Sequence, residues 1–170
     1  MWVFDATPLI YLAKVDRLSL ARTLDGRRVL PEGVYEEVVE VGIRRGHPDA
    51  RRVERAVDEG LFEVMEADDG PVTERLRRSP TLSGPDVAVL TLAHTHDGTA
   101  VMEDSHGRTV ASTEGIPTRG TAYVVLLAAV EGDIGVTEAR TVIDGMIDEG
   151  WYCAPDVYSK IVRRLEVTEP

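Results

Sequence analysis

The sequence predicts an α/β fold in which a mostly parallel central sheet is covered by helices on both faces. Short β-like runs alternate with helical signals along the chain, the arrangement expected of strands joined by helical crossovers. The 170 residues are 43% apolar, enough for one compact core. No repeat, low-complexity tract or linker interrupts them, so residues 1–170 are expected to form a single domain.

The first strand is Trp2–Phe4, followed by Thr7 as a helix N-cap with Pro8 at the first helical position. Arg28–Leu30 is the second strand. After Pro31 a helix is expected, because Val34, Val38 and Val41 recur at the i, i+4, i+7 spacing of a buried ridge. Pro48 opens a helix over Asp49–Glu59, which Gly60 ends, and Phe62–Met65 is the third strand. Asp68–Pro71 and Ser79–Thr81 read as loops around a short arginine-rich helix, and a further helix begins at Ser83-Gly84-Pro85-Asp86. Ala100–Met102 is the fourth strand and Ile116–Thr118 a weaker fifth. Thr137 opens a helix that runs to Glu149 and stops at Gly150.

Four acids occupy positions from which such a fold would aim them at one point. Asp5 closes the first strand, and in open parallel sheets ligands bind beyond the carboxyl ends of the strands. With Thr7 read as the cap, the Asp5 carboxylate needs another partner. Glu37 borders the valine ridge, whereas Glu36 shares a solvated row with Glu40 and Arg44. Asp86 shares a helical row with Leu90 and Ala93, which turns a charge toward the core. The same acid also fits a capping box with Ser83, and the two roles are compatible in part. Glu103-Asp104 ends the fourth strand as Asp5 ends the first. Because side chains alternate faces, one of the pair is expected at the crevice and the other at its rim. Arg108, one helical turn on, is placed to balance this charge or touch a phosphate. Carboxylates gathered in this way repel one another and usually require a divalent cation.

Composition restricts the partners. The 19 basic and 30 acidic residues give a formal charge of −11, which disfavours nucleic acid unless basic groups cluster or salt screens the field. Yet 17 of the 19 basic residues are Arg, with only Lys14 and Lys160 as lysines, and an acidic, lysine-poor surface suggests a salt-rich, halophilic cytoplasm. There the Debye length falls to about 3 Å near 1 M salt, and the objection weakens. Three arginine groups, Arg44-Arg45, Arg51-Arg52-Arg55 and Arg75-Arg77-Arg78, would suit either a phosphate track or ordinary surface ion pairs. His94 and His96 read as surface residues, and Trp2 and Trp151 as core or interface rather than base-stacking platforms. Cys153 stands alone, which excludes an intrachain disulfide, and no zinc-site spacing is present. The N-terminus carries no basic leader. The longest apolar run, Ala122–Val130, is far short of the roughly 20 residues a bilayer requires. A soluble cytoplasmic protein is expected.

Taken in order, these residues resemble the PIN-domain nucleases, and within them the VapC-like toxins and their prokaryotic relatives. The resemblance spans nearly the whole chain. It rests on Val3-Phe4-Asp5-Ala6-Thr7-Pro8-Leu9-Ile10, Pro31-Glu32-Gly33-Val34-Tyr35-Glu36-Glu37-Val38, Leu82-Ser83-Gly84-Pro85-Asp86-Val87-Ala88, and Met102-Glu103-Asp104 with Arg108 and then Arg119-Gly120-Thr121. It implies a three-layer α/β/α sandwich with Asp5, Glu37, Asp86 and Asp104 as catalytic and metal-binding acids. Thr7, Glu103, Arg108 and Thr121 would be accessory residues, Thr7 helping to position the attacking water. It further implies Mg²⁺ or Mn²⁺ as cofactor, RNA as substrate, an antitoxin protein as partner and a homodimer, for which Ile134–Ile147 and Val157–Leu165 offer apolar surfaces. Two departures stand out: family members often have Glu where this chain has Asp86, and Glu103 replaces a common Asp. Both keep the negative charge.

Two rival readings remain. A haloacid-dehalogenase-like phosphatase would share a strand-terminal Asp, but needs a second acid where this chain has Thr7, and a later lysine than Lys14. A non-catalytic, partner-binding module of the same fold would have its acids too far apart to hold metal.

Overall fold

The computed structural model describes residues 1–168. Five parallel strands form one sheet in the order β3-β2-β1-β4-β5, where β1 is Trp2–Phe4, β2 Arg28–Pro31, β3 Glu63–Met65, β4 Thr99–Val101 and β5 Thr118–Arg119. The register pairs Val3 with Val29 on one side and with Ala100 on the other. Parallel strands buried on both faces need continuous apolar character, and Val3, Phe4, Val29, Leu30, Ala100 and Val101 are all fully buried. At one edge, Glu63 on β3 is exposed and pairs with Arg27 at 2.7 Å, charge that discourages another strand from adding there.

Helix α1 (Ala6–Lys14) joins β1 to β2 through a 3-10 segment, Leu18–Thr23. Beyond β2 come α2 (Glu32–Tyr35), a π-helical stretch Glu36–Val41, α3 (Gly42–Arg44) and α4 (Pro48–Asp58), which leads to β3. The return to the centre of the sheet uses α5 (Pro71–Arg77) and α6 (Gly84–Thr95), and α7 (Ser105–Thr113) joins β4 to β5. Right-handed crossovers place α1 and α4 on one face and α6 and α7 on the other, the α/β/α sandwich the sequence predicts. Helix α6 lies across β1, β2 and β4. The chain closes with α8 (Thr121–Val130), α9 (Val136–Asp148) and α10 (Pro155–Thr168), and α8 and α9 both reach α1.

The alternation is read correctly from the sequence, but several ends move. The third strand omits Phe62, which is buried just ahead of it, and the fifth shifts to Thr118–Arg119. The helix assigned to a Thr137 start begins at Val136 with Gly135 as its cap residue, so Thr137 is an ordinary first-turn residue. Gly60 and Gly150 do end their helices, with φ of +76° and +100° that a side chain would resist. The valine ridge is altered more deeply. A π turn contains about one residue more than an α turn, so Val38 and Val39 are buried whereas Val41 is only half-buried.

Candidate active site

Reversal of the strand order at β1 creates a crevice beyond the carboxyl ends of β1 and β4. Asp5 sits there. Its N–H donates to the Val101 carbonyl at 3.0 Å, so it extends the β1–β4 ladder by one residue, and its side chain is 8% exposed. The structure corrects the assignment of the cap: Asp5 itself is the N-cap of α1, and its Oδ1 accepts from the Ala6 N–H at 2.8 Å. Thr7 is the second helical residue, and Pro8 the third. A proline is tolerated there because the first N–H groups of a helix have no intrahelical partner. The premise that Thr7 frees Asp5 from capping therefore fails.

Capping uses only one of the two carboxylate oxygens of Asp5, and its electrostatic setting is unusual for a cap. The Asp5 pKa is pushed up from 3.8 to about 6. Burial is the largest cause; the Ala6 N–H opposes it, and the charges of Asp86, Glu37 and Asp104 push further upward. Acids from three other elements thus lie near enough to Asp5 to resist its ionisation.

Each of those three arrives differently. Asp86 is the third residue of α6 and completes a capping box with Ser83: its Oδ2 accepts from the Ser83 N–H at 2.8 Å, while its own N–H donates to Ser83 Oγ at 3.2 Å. The half-buried side chain is therefore held at the helix start, and it still acts on Asp5 from there. Asp104 caps α7 by accepting from the Gly107 N–H at 2.6 Å. A Cβ on residue 107 would fall 2.5 Å from Met102 Cε and 3.3 Å from Asp104 Oδ2, so a larger residue there would have to displace the buried methionine tip and crowd the cap. Glu37 is exposed and lies in the π stretch, whereas Glu36, also exposed, is not among the charges that perturb Asp5.

The accessory residues divide. Glu103 is half-buried and accepts from the Thr121 N–H at the start of α8. Thr121 is fully buried, and its Oγ1 has no hydrogen-bond partner. The exposed Arg108 donates from Nε to Thr118 Oγ1 at 3.3 Å. Thr7 is half-buried beside Asp5. Of the arginine groups, Arg51 pairs with Glu54, Arg52 with Asp16, Arg75 with Glu114 and Arg77 with Asp69, which is the surface ion-pair reading.

Among the described residues no three acidic, His or Cys side chains close on a common point tightly enough to enclose a metal ion. The donor set nevertheless fits a hard divalent cation. It offers carboxylate oxygens only, and Asp5, Asp86 and Asp104 each spend one oxygen on a backbone N–H and keep another. Burial and, behind it, the charges of Asp86, Glu37 and Asp104 resist ionisation of Asp5, and a cation among these acids would favour it.

Next to the acids lies a cavity of about 460 Å³, bounded by Glu32 at the end of β2, Glu66 and Ala67 at the end of β3, and Ser83, Val87 and Ala88 on α6. Sequence reading passed over Glu66 and Glu32. The signal was present, since Glu66 follows its strand as directly as Asp5 follows β1.

Comparison with known proteins agrees with this architecture. No curated protein matches the chain. A PilT N-terminus domain protein from the hyperthermophilic archaeon Sulfolobus solfataricus P2 superposes with a TM-score of 0.53 at 15% identity, over 76% of this chain and 92% of that one. A domain of a functionally unknown protein from Methanocaldococcus jannaschii DSM 2661 gives 0.47 at 16% identity, over 70% and 89% respectively. The family model DUF3368, a PIN domain, matches residues 1–167. A parallel sheet with acids gathered at its switch point, together with a family match over nearly the full chain, establishes that this protein belongs to the PIN-domain family, whose members are in general metal-dependent nucleases.

Proposed function

We propose that the protein is a metal-dependent endoribonuclease that hydrolyses RNA phosphodiester bonds, acting from a single domain as the toxin of a cytoplasmic toxin–antitoxin pair. The observation that supports this best is a buried carboxylate at the strand end, Asp5, with Asp86, Glu37 and Asp104 near enough to act on it; burial first, and then their charges, raise its pKa to about 6. Asp5, Glu37, Asp86 and Asp104 hold Mg²⁺ or Mn²⁺ through hard oxygen donors. A cation bound there supplies Lewis acidity for phosphodiester hydrolysis. The chain's own contribution is placement: the β1–β4 ladder fixes Asp5, two helix caps fix Asp86 and Asp104, and the π stretch brings Glu37 to the mouth. Arg108, beside the crevice, is placed to meet a phosphate of the substrate strand. Thr7 orients water at the mouth, and Glu103 and Thr121 brace the end of β4 against α8. A cognate antitoxin and a second copy of the chain are the expected partners.

Cleavage of a mixed RNA pool in high salt, with Mn²⁺ or with EDTA, tests the reading. Cutting that requires Mn²⁺ and is lost in Glu37→Gln supports it. Absence of cutting, together with no Mn²⁺ binding by calorimetry, would leave a partner-binding module instead.

A further inference from the structure

The cavity beside α6 takes no part in the acid cluster, yet it opens at the same carboxyl edge of the sheet. The two meet at the start of α6: the cap residue Ser83 lines the cavity, and its N–H donates to the Asp86 carboxylate. We propose that this cavity seats one guanine base of the substrate strand, read by Glu66 and Glu32, and so selects where the strand is cut. The proposal rests on the nuclease reading above.

Size and lining agree with a base. About 460 Å³ lies within the usual range for small-ligand sites, and Leu82, Val87 and Ala67 provide apolar walls for the faces of a ring. Among the described residues neither Glu32 nor Glu66 is engaged in an ion pair or a side-chain hydrogen bond. Two free carboxylates repel a phosphate and attract hydrogen-bond donors, so the occupant is the base rather than the backbone. Guanine is the base that presents adjacent donors, N1–H and the N2 amino group. Adenine and cytosine place an acceptor nitrogen beside their single amino group, and uracil flanks one N–H with two carbonyls. Arg77 also lines the cavity. It spends one donor on Asp69 at 2.6 Å and keeps others for the guanine O6.

An NMR titration with guanosine 5′-monophosphate and with uridine 5′-monophosphate tests the recognition without relying on cleavage. The guanine nucleotide should shift the Ala67 and Ala88 amides, roughly tenfold more tightly than the uridine nucleotide. Ala88→Trp, which fills the cavity, and the double substitution Glu32→Gln/Glu66→Gln should each abolish the preference, with thermal melts confirming that both fold. Equal response to the two nucleotides, or shifts elsewhere, would overturn the proposal. In a random RNA pool, cuts by the wild type should cluster beside guanine, and both variants should scatter them. Guanine binding with an unchanged cut pattern in the variants would mean that a free nucleotide, not the substrate strand, occupies the cavity, and that also overturns it. Metal-dependent cutting without guanine bias defeats this inference alone, whereas no cutting by the wild type defeats the nuclease reading beneath it.

Discussion

Asp5→Asn is expected to abolish metal-dependent cleavage and at the same time to make the metal-free protein more stable near neutral pH. The loss of activity should be on the order of 100-fold or more, because the substitution removes the most buried of the four carboxylates. The gain in stability follows from linkage. The Asp5 pKa is about 6 in the folded protein against an ordinary 3.8, so between those values the folded state holds a proton that the unfolded state has released. Wild-type stability therefore falls as pH rises from about 4 to about 6, and stays lowered above that range. A shift of this size corresponds to about 3 kcal/mol at most. Asparagine keeps an Oδ1 to accept from Ala6 and carries no charge to be stripped of water or to repel Asp86, Glu37 and Asp104, so it should recover much of that amount. Urea melts at pH 7 and pH 4 would show it: the variant is more stable at pH 7, and the difference closes at pH 4. Added Mn²⁺ should stabilise the wild type but not Asp5→Asn. A variant less stable than wild type at pH 7 would contradict the burial of a charged Asp5 beside other acids.

Phe4→Ala should produce the largest loss of stability, about 3–5 kcal/mol, with a fall in Tm of about 10 °C or more. Phe4 is fully buried at the end of β1, and its ring meets that of Phe62 edge to face, with centroids 5.1 Å apart. Truncation removes this contact and leaves a cavity in the core beside the strand end that carries Asp5. Activity should drop further than the fraction of unfolded protein explains, because the strand end that carries the carboxylate loses its support. Phe4→Leu, which keeps most of the volume, should recover most of both. Thermal melts and cleavage rates measured on the same preparations separate the two effects.

What could be read in the chain, and what could not, follows from the range of the forces involved. The position of Asp5 was legible because an acid that closes an apolar run is a local pattern, whereas the fourth strand ends at Val101 rather than Met102 and Asp104 lies three residues beyond it, as the cap of α7. The cap of α1 was misplaced because the preference for Pro at a first helical position is statistical. Here the backbone turns two residues earlier, and Pro8 merely occupies another N–H-free place in the same turn. For Asp86 the sequence allowed either a capping box or an inward charge. The structure forms the capping box, and from that position the half-buried side chain still acts on Asp5 electrostatically. The π stretch left no readable mark. Val34, Val38 and Val41 satisfy an α-helical ridge, and only packing against the rest of the protein selects Val39 over Val41. Glu37 was thus chosen over Glu36 on a helical wheel that the structure does not follow.

The strand order also has a consequence for the timing of synthesis. β1 is made first and lies at the centre of the sheet, where Trp2 pairs with Arg28 on one side and with Thr99 on the other. A ribosome that has delivered the first three acids has not yet delivered β4 or Asp104, so one flank of β1 stays bare and the crevice has only one wall. A nascent chain that stops short of β4 therefore lacks both the second wall of the crevice and the fourth acid.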